Sequence, residues 1–283
     1  LDEGDTRRRP RFAPPKPWRQ RGSAPDLVAD ADALDRVYRA FLRHLPMTAD
    51  QRRNVLGRDR GLSPELRSKV PPLLGPVPAD PTAWNPVHRG LVDDLWAVAP
   101  DEFLARVPEL ERREGKGYAV LPGRRDAHYF EPWADEEGRI VALRAYMGKL
   151  AKPKYLTSEG RTGPLVHFAF GVPRDRIARV PWVFTEGWMK AEVLAHQLGC
   201  VAVGFPGVSA RASWPRAMEV LQRLAPDAPT YVAFDSEVWM NRLDLAVFEL
   251  ELARMIQLTT GRDAGFAVWD AALDAEDKPR PKG

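Results

Sequence analysis

Residues 182–191 read Trp-Val-Phe-Thr-Glu-Gly-Trp-Met-Lys-Ala. Val183-Phe184-Thr185 is a short apolar run of strand character, and Glu186-Gly187 ends it. From Met189 to Leu198 the apolar residues return at helical spacing, until Gly199 closes the segment. A glycine set directly between a strand and a helix lets the chain turn there without a loop. Outward from this turn the alternation continues. Cys200 to Gly204 reads as a strand, and Trp214 to Leu224 as an amphipathic helix with Ser213 as its N-cap and Pro215 in its first turn. Thr230 to Phe234 is an apolar strand, Leu243 to Leu258 a long helix ending at Gly261, and Gly265 to Trp269 a last strand. Strands alternating with helices predict an α/β fold, a parallel sheet with helices on its faces.

Upstream the period is different. Tyr118–Leu121, Arg139–Tyr146 and Leu165–Phe170 are strand-length runs, with Gly138 placed for a hairpin turn, so residues 111–175 read as a small, mainly β subdomain. Before them, Leu34, Val37, Tyr38, Phe41, Leu42 and Leu45 form a helical stripe stopped by Pro46. Thr48 caps a second helix running through Arg52 and Val55, and Ser63-Pro64 opens a third. The proline-dense stretch 70–88 reads as loop, followed by helical segments from Leu91 to Ala97 and from Glu102 to Val107. The expected division is therefore a basic arm at 1–33, a helical region at 34–110, the β subdomain at 111–175 and the α/β domain at 176–283.

Composition narrows the classes. The chain has 283 residues, 44% of them hydrophobic, and a net charge of +3, so charge alone names no partner. Apolar stretches are too short to cross a bilayer. The single cysteine, Cys200, excludes a disulfide framework and fits a reducing, cytoplasmic setting. The start at Leu1-Asp2-Glu3 is neither an initiator nor a signal peptide, and is read as part of a longer protein. Between Thr6 and Pro25 the arm carries Arg7, Arg8, Arg9, Arg11, Lys16, Arg19 and Arg21 among prolines, with no acid in that stretch. It reads as a solvated, extended linker; the alternative is a phosphate-binding tail in which Phe12 and Trp18 stack on bases.

In an open parallel sheet, ligands sit beyond the carboxyl ends of the strands. Glu186 follows the first strand, Gly204-Phe-Pro-Gly207 the second, and Asp235-Ser-Glu237 the third. If the first and third strands are neighbours, Glu186, Asp235 and Glu237 converge on one edge, an oxygen donor set suited to Mg²⁺ or Mn²⁺ and to phosphoryl transfer. Glu186-Gly-Trp-Met-Lys190 lacks the further glycines of a dinucleotide fingerprint, and no Walker A sequence is present. The five histidines (His44, His88, His128, His167 and His196) show no ligand spacing and are assigned to structure or surface, His196 to an exposed helix position. Trp214, Trp239 and Trp269 read as core or rim aromatics, and Tyr146 and Tyr155 as the better base-stacking candidates.

These residues resemble the Toprim domain shared by bacterial-type primases, topoisomerases and certain nucleases. Glu186-Gly187, Gly204, Pro206-Gly207 and Asp235-x-Glu237 carry the likeness, and Val183–Ala191 with Val203–Val208 is closest to the primase-like proteins of plasmids, phages and integrative elements. Gly138-Arg139 and Lys154-Tyr155-Leu-Thr157-Ser158 resemble the stretch preceding Toprim in a primase catalytic core, and Leu56-x-x-Asp-Arg-Gly-Leu-Ser63 the short helical region before it. The implied fold is a Toprim, Rossmann-like parallel sheet with flanking helices, preceded by a small mainly β subdomain and a helical region.

By that resemblance Glu186 is a metal ligand or general base near a primer 3′-hydroxyl, and Asp235 and Glu237 hold the metals. Arg139, Arg144, Lys154, Tyr155 and Lys190 handle template or nucleotide. The sequence departs from the family at Glu237, usually Asp, and at Thr157, usually Asn; Lys190 replaces the aspartate of housekeeping primases and resembles the lysine of the element-encoded branch. Relatives often continue into further acids, whereas this chain has Asp270 and Asp274 and ends at Lys282-Gly283. The implied activity is metal-dependent synthesis of an RNA primer on single-stranded DNA in replication of a mobile element, with a replicative helicase as partner. A metal-dependent nuclease and a non-catalytic nucleic-acid-binding or helicase-docking module remain the alternatives.

Overall fold

A computed structural model of the chain describes residues 30–58, 62–113, 117–121, 126–157, 164–235 and 243–267. Residues 1–29 of the basic arm, Glu237, Ser158, Trp239, Trp269, Asp270, Asp274 and the Asp59-Arg60-Gly61 part of the upstream motif lie outside those residues, and the end of the expected arm, from Ala31, is already helical.

The alternation around residues 182–191 folds into a five-stranded sheet in the order β10-β9-β7-β8-β6. Its members are β6 (His167–Phe170), β7 (Trp182–Glu186), β8 (Val201–Phe205), β9 (Thr230–Val232) and β10 (Gly265–Phe266). β7, β8, β9 and β10 run parallel, and β6 lies antiparallel on the β8 edge. Period-2 alternation sorts the side chains by size. Phe168, Trp182, Phe184, Val201, Val203, Phe205, Val232 and Phe234 face one side with α7 (Trp214–Leu224) and α8 (Leu243–Thr260). Ala169, Val183, Ala202 and Ala233 face the other, against Ala191 and Ala195 of α6 (Trp188–Leu198). The small-residue face brings α6 close to the sheet. A Cβ at Gly204 would lie 2.7 Å from the Gly187 carbonyl oxygen, so β8 needs glycine there. Gly187 has space around it but a φ of +84°, and its requirement is conformational.

Upstream, α1 (Ala31–His44), α2 (Ala49–Arg52), α3 (Pro64–Lys69), α4 (Pro81–Val98) and α5 (Asp101–Leu104) form the helical region. Thr48 closes a capping box with Gln51, and Ser63 accepts from the Leu66 N–H. Two local expectations fail. The loop expected at 70–88 gives way at Pro81, where α4 starts with Asp80 capping Thr82; the helix runs through Pro86 because Trp84, Leu91, Val92 and Leu95 anchor it in the core. Ser213 does not cap α7: the chain enters that helix from a 3₁₀ turn (Arg211–Ser213), so Ser213 is already helical and buried.

Two small sheets precede β6. β1 (Leu110–Arg113) pairs antiparallel with β2 (Gly117–Val120), and β3 (Tyr129–Ala134), β4 (Ile140–Tyr146) and β5 (Tyr155–Thr157) form a meander. One face of the meander, through Phe130, Ile140, Leu143 and Ala145, shares a core with α1, α4, α5, β1 and β2. The helical region and the meander are thus one packed body, and the division expected at residue 110 crosses its core. The boundary expected after 175 falls beyond β6, which belongs to the five-stranded sheet.

Candidate active site

The strand order fixes where a ligand goes. After β7 the chain crosses through α6 to β8 on one side, then through α7 to β9 on the other, so β7 is the switch point of the sheet. β7 and β9 are neighbours, with Phe184 opposite Val232. Two hydrogen bonds carry the pairing past the end of β9: the Ala233 N–H donates to the Phe184 carbonyl at 2.8 Å, and Thr185 Oγ1 donates to the Ala233 carbonyl at 2.7 Å. Glu186, the last residue of β7, and Asp235, three residues past Val232, therefore emerge from adjacent strands at one end of the sheet. Both are partly exposed.

The expected cation set divides in the structure. Lys190, in the first turn of α6, ion-pairs with Asp235 at 2.7 Å between Nζ and Oδ1. Arg144, on β4, donates to the Pro206 carbonyl at 2.8 Å and so ties the meander to the turn after β8. Its guanidinium lies 4.7 Å from the Tyr155 ring centroid and 5.5 Å from that of Trp133. Burial pulls Arg144 below its ordinary pKa, while the charges of Glu131, Tyr155 and Glu186 act the other way. Lys154 sits over Tyr155 and Tyr146, at 5.5 and 5.8 Å from the ring centroids.

Register explains this face. Tyr129 pairs with Tyr146 and Tyr146 with Tyr155, while Glu131 pairs with Arg144 and Arg144 with Thr157. Directly opposed residues share a side of the sheet, so a tyrosine row lies beside a Glu–Arg–Thr row on the side away from the helical core. Tyr129 stacks on Tyr146 at 4.7 Å, and Tyr146 meets Tyr155 at 5.2 Å. Glu131, buried opposite Arg144, escaped the sequence reading; an acid inside the apolar run Tyr-Phe-Glu-Pro-Trp was the available signal.

Arg139 falls elsewhere. It lies five residues before Arg144, about 16 Å along an extended strand. Its guanidinium is held by Asp135 at 2.8 Å, Glu137 at 3.1 Å and Asp32 of α1 at 3.2 Å. The hydrogen bond to Asp135, joined by that to Asp32, raises its pKa against the effect of burial. Asp135, Glu136 and Glu137 are close enough together to hold a metal ion, but arginines occupy them: Arg139 takes the outer two, and Arg216 and Arg223 of α7 take Glu136.

His196 is not the exposed residue expected. It is 19% exposed and its Nε2 lies 3.3 Å from Glu192, whose other oxygen meets His167 at 2.8 Å. Trp214 is buried in the core as expected.

The fold is that of a primase catalytic core: a Toprim-type parallel sheet with flanking helices, preceded by a meander and a helical region. A DnaG primase catalytic domain bound to single-stranded DNA superposes with a TM-score of 0.56 at 20% identity, over 86% of this chain and 72% of that one. The E. coli primase catalytic core gives 0.54 at 20% identity, over 87% and 74% of the two chains. The RNA polymerase domain of Mycobacterium tuberculosis DnaG, in complex with a double-stranded DNA with a 6-nucleotide overhang, gives 0.51 at 16% identity, over 72% and 64%. No family model and no curated protein matches the chain in sequence.

Proposed function

We propose that the chain is a primase-like nucleotidyltransferase core, extending a ribonucleotide primer on a single-stranded DNA template. The observation that carries this reading is the placement of Glu186 at the end of β7 and of Asp235 just past the end of the adjacent β9, within a fold whose likeness to primase cores runs through the helical region and meander as well as the parallel sheet. A nuclease reading needs only the parallel sheet, and nothing in the meander favours it.

The donors fit a hard divalent cation. Glu186 and Asp235 offer only oxygens, are partly exposed, and stand at the switch point; Glu237 is the third candidate ligand by its place in the sequence. Mg²⁺ or Mn²⁺ held there supplies charge neutralisation for attack of a 3′-hydroxyl on an α-phosphate. Glu186 is placed to accept the hydroxyl proton or to ligate. Arg144 and Lys154, set among Tyr146 and Tyr155, offer cations and ring faces to a single strand and its phosphates. Lys190 borders the same site from α6. Arg139, saturated by three carboxylates, keeps the hairpin on α1 and is left out of the nucleic-acid face. The helicase partner and the mobile-element setting belong to this proposal through the sequence resemblance, and the cytoplasmic location through the single cysteine; no helix among the described residues is long and apolar enough to cross a membrane.

The test is a gel with labelled single-stranded DNA, ribonucleotides and Mg²⁺ or Mn²⁺. New short products that disappear in Glu186→Gln, with DNA binding retained, are expected. Shortened template that depends on Glu186 would move the activity to nuclease, and retarded DNA without products to a binding module.

A further inference from the structure

The Lys190–Asp235 ion pair puts a cation where the proposed function puts a metal. We propose that Lys190 is a resident counter-cation of this site, competing with the divalent ion for Asp235 and so keeping that carboxylate neutralised in the metal-free form. The inference rests on reading Glu186 and Asp235 as metal ligands.

Three observations support it. The contact is close and semi-enclosed: Nζ lies 2.7 Å from Oδ1, with the lysine side chain 16% exposed and the aspartate 36%. Such a pair is screened less than a surface one. The lysine is also committed by the backbone. α6 starts immediately after Gly187, so Lys190 stands four residues after Glu186 on the first turn of a helix that packs tightly on β8. Its stem therefore leaves the same corner from which the acids emerge. Finally, the second cation at the site is fixed elsewhere. Arg144 donates to the Pro206 carbonyl and lies against Tyr155 and Trp133, so it stays in place whatever binds. Lys190, a point charge on a flexible stem, is the one that can yield its carboxylate.

The local charges give the consequence. Among the described residues, Lys190 is the cation in contact with Asp235, while the charge of Arg144 is faced by Glu131 as well as Glu186. A divalent ion arriving alone must displace an ammonium from Asp235. The displaced ammonium is then left beside the N-terminus of α6, where both favour an anion. Phosphate groups of a nucleoside triphosphate satisfy that demand, so the site is disposed to fill with metal and nucleotide together rather than with metal alone.

The experiment uses the full chain without nucleotide. Manganese affinity is read from the free-ion electron paramagnetic resonance signal, and the rise in melting temperature on adding Mn²⁺ is read in parallel, for the wild type, Lys190→Gln, Lys190→Met, Lys190→Arg and Asp235→Asn. Removing a unit charge this close to the ligand predicts that Lys190→Gln and Lys190→Met bind Mn²⁺ about tenfold more tightly and gain more thermal stability from it. Lys190→Arg, which keeps the charge, stays within about threefold of the wild type on the same reasoning. Asp235→Asn binds more weakly than any of them. If Asp235→Asn loses affinity while both neutral Lys190 variants bind no more tightly than the wild type, Lys190 does not compete and the inference falls. If Asp235→Asn binds Mn²⁺ as the wild type does, Asp235 is no metal ligand, and it is the proposed function that fails.

Discussion

At the scale of single residues, Arg144 shows how one side chain joins two parts of the fold. Its partners are the Pro206 carbonyl, two aromatic rings and the charge of Glu131 across the β3–β4 pair. Lysine would keep the charge but lose the planar fork and the stacking. Arg144→Lys is expected to weaken single-stranded DNA binding about three- to tenfold and to lower stability by about 1–2 kcal/mol. Fluorescence anisotropy and urea unfolding measure the two effects. The position was readable from sequence as a cation on a strand, but its commitments were not. Pro206 is 62 residues away, and the strands between them had first to be ordered. Asp235 has the same history: its place at a strand end was readable, its pairing with Lys190 was not.

At the scale of elements, α6 is held by more than its small-residue face. The Ala134 N–H donates to His167 Nδ1 at 3.0 Å, so the ring proton belongs on Nε2, which donates to Glu192 at 2.8 Å. His196 meets the second carboxylate oxygen. One buried acid thereby joins β3, β6 and α6. Burial raises the Glu192 carboxyl, but the hydrogen bonds from His167 and His196 outweigh it and hold the group below its ordinary value. Its stabilising contribution is therefore full above the unfolded carboxyl value near ~4.3 and drains away as pH falls through the lower folded value. Glu192→Gln is expected to cost about 2–4 kcal/mol at neutral pH. The gap between its urea midpoint and that of the wild type should narrow in acid; a gap constant down to acidic pH would show that the carboxylate charge is not what stabilises. Helical periodicity could not find this network. α6 is close to the sheet along most of one side and carries no sharply polar face, so His196 reads as a solvent position and Glu192, four residues earlier, gives no signal of its own.

At the scale of the whole molecule, two cores have to be joined. The seam is a third cluster in which Leu56, Val70, Leu73, Tyr129, Trp133 and Ala142 meet Leu165, Trp188 and Met189. Trp188 and Met189 open α6, so the seam and the candidate site share an element. Beside it, Glu136 from the hairpin turn is 3% exposed and takes Arg216 and Arg223 of α7, while Arg174 donates to its carbonyl. Because both α7 arginines are substantially exposed, water offsets part of the loss when the acid is removed. Glu136→Ala is expected to lower stability by about 1–2 kcal/mol, read as a shift in the urea midpoint. In 1 M salt the wild type should lose more of its midpoint than this variant, since only the wild type has the pair to screen.

The sequence alone determined the parallel α/β domain, because that information is local: strand-length apolar runs, a glycine between strand and helix, and helices whose periodicity and stops fall within a dozen residues. It also placed Glu186 and Asp235 at strand ends, since topology puts those ends together once β7 and β9 are neighbours. Tertiary structure decided what no window of sequence contains. It assigned β6 to the parallel sheet, fused the helical region with the meander into one core, carried α4 through Pro86, and turned Glu192 inward to two histidines. It sent Arg139 to carboxylates rather than to the site, and set Lys190 on Asp235. In each case the deciding partner lies far along the chain or on another element. A charged or polar side chain shows its type in the sequence; its partner is settled only when packing brings the two into reach.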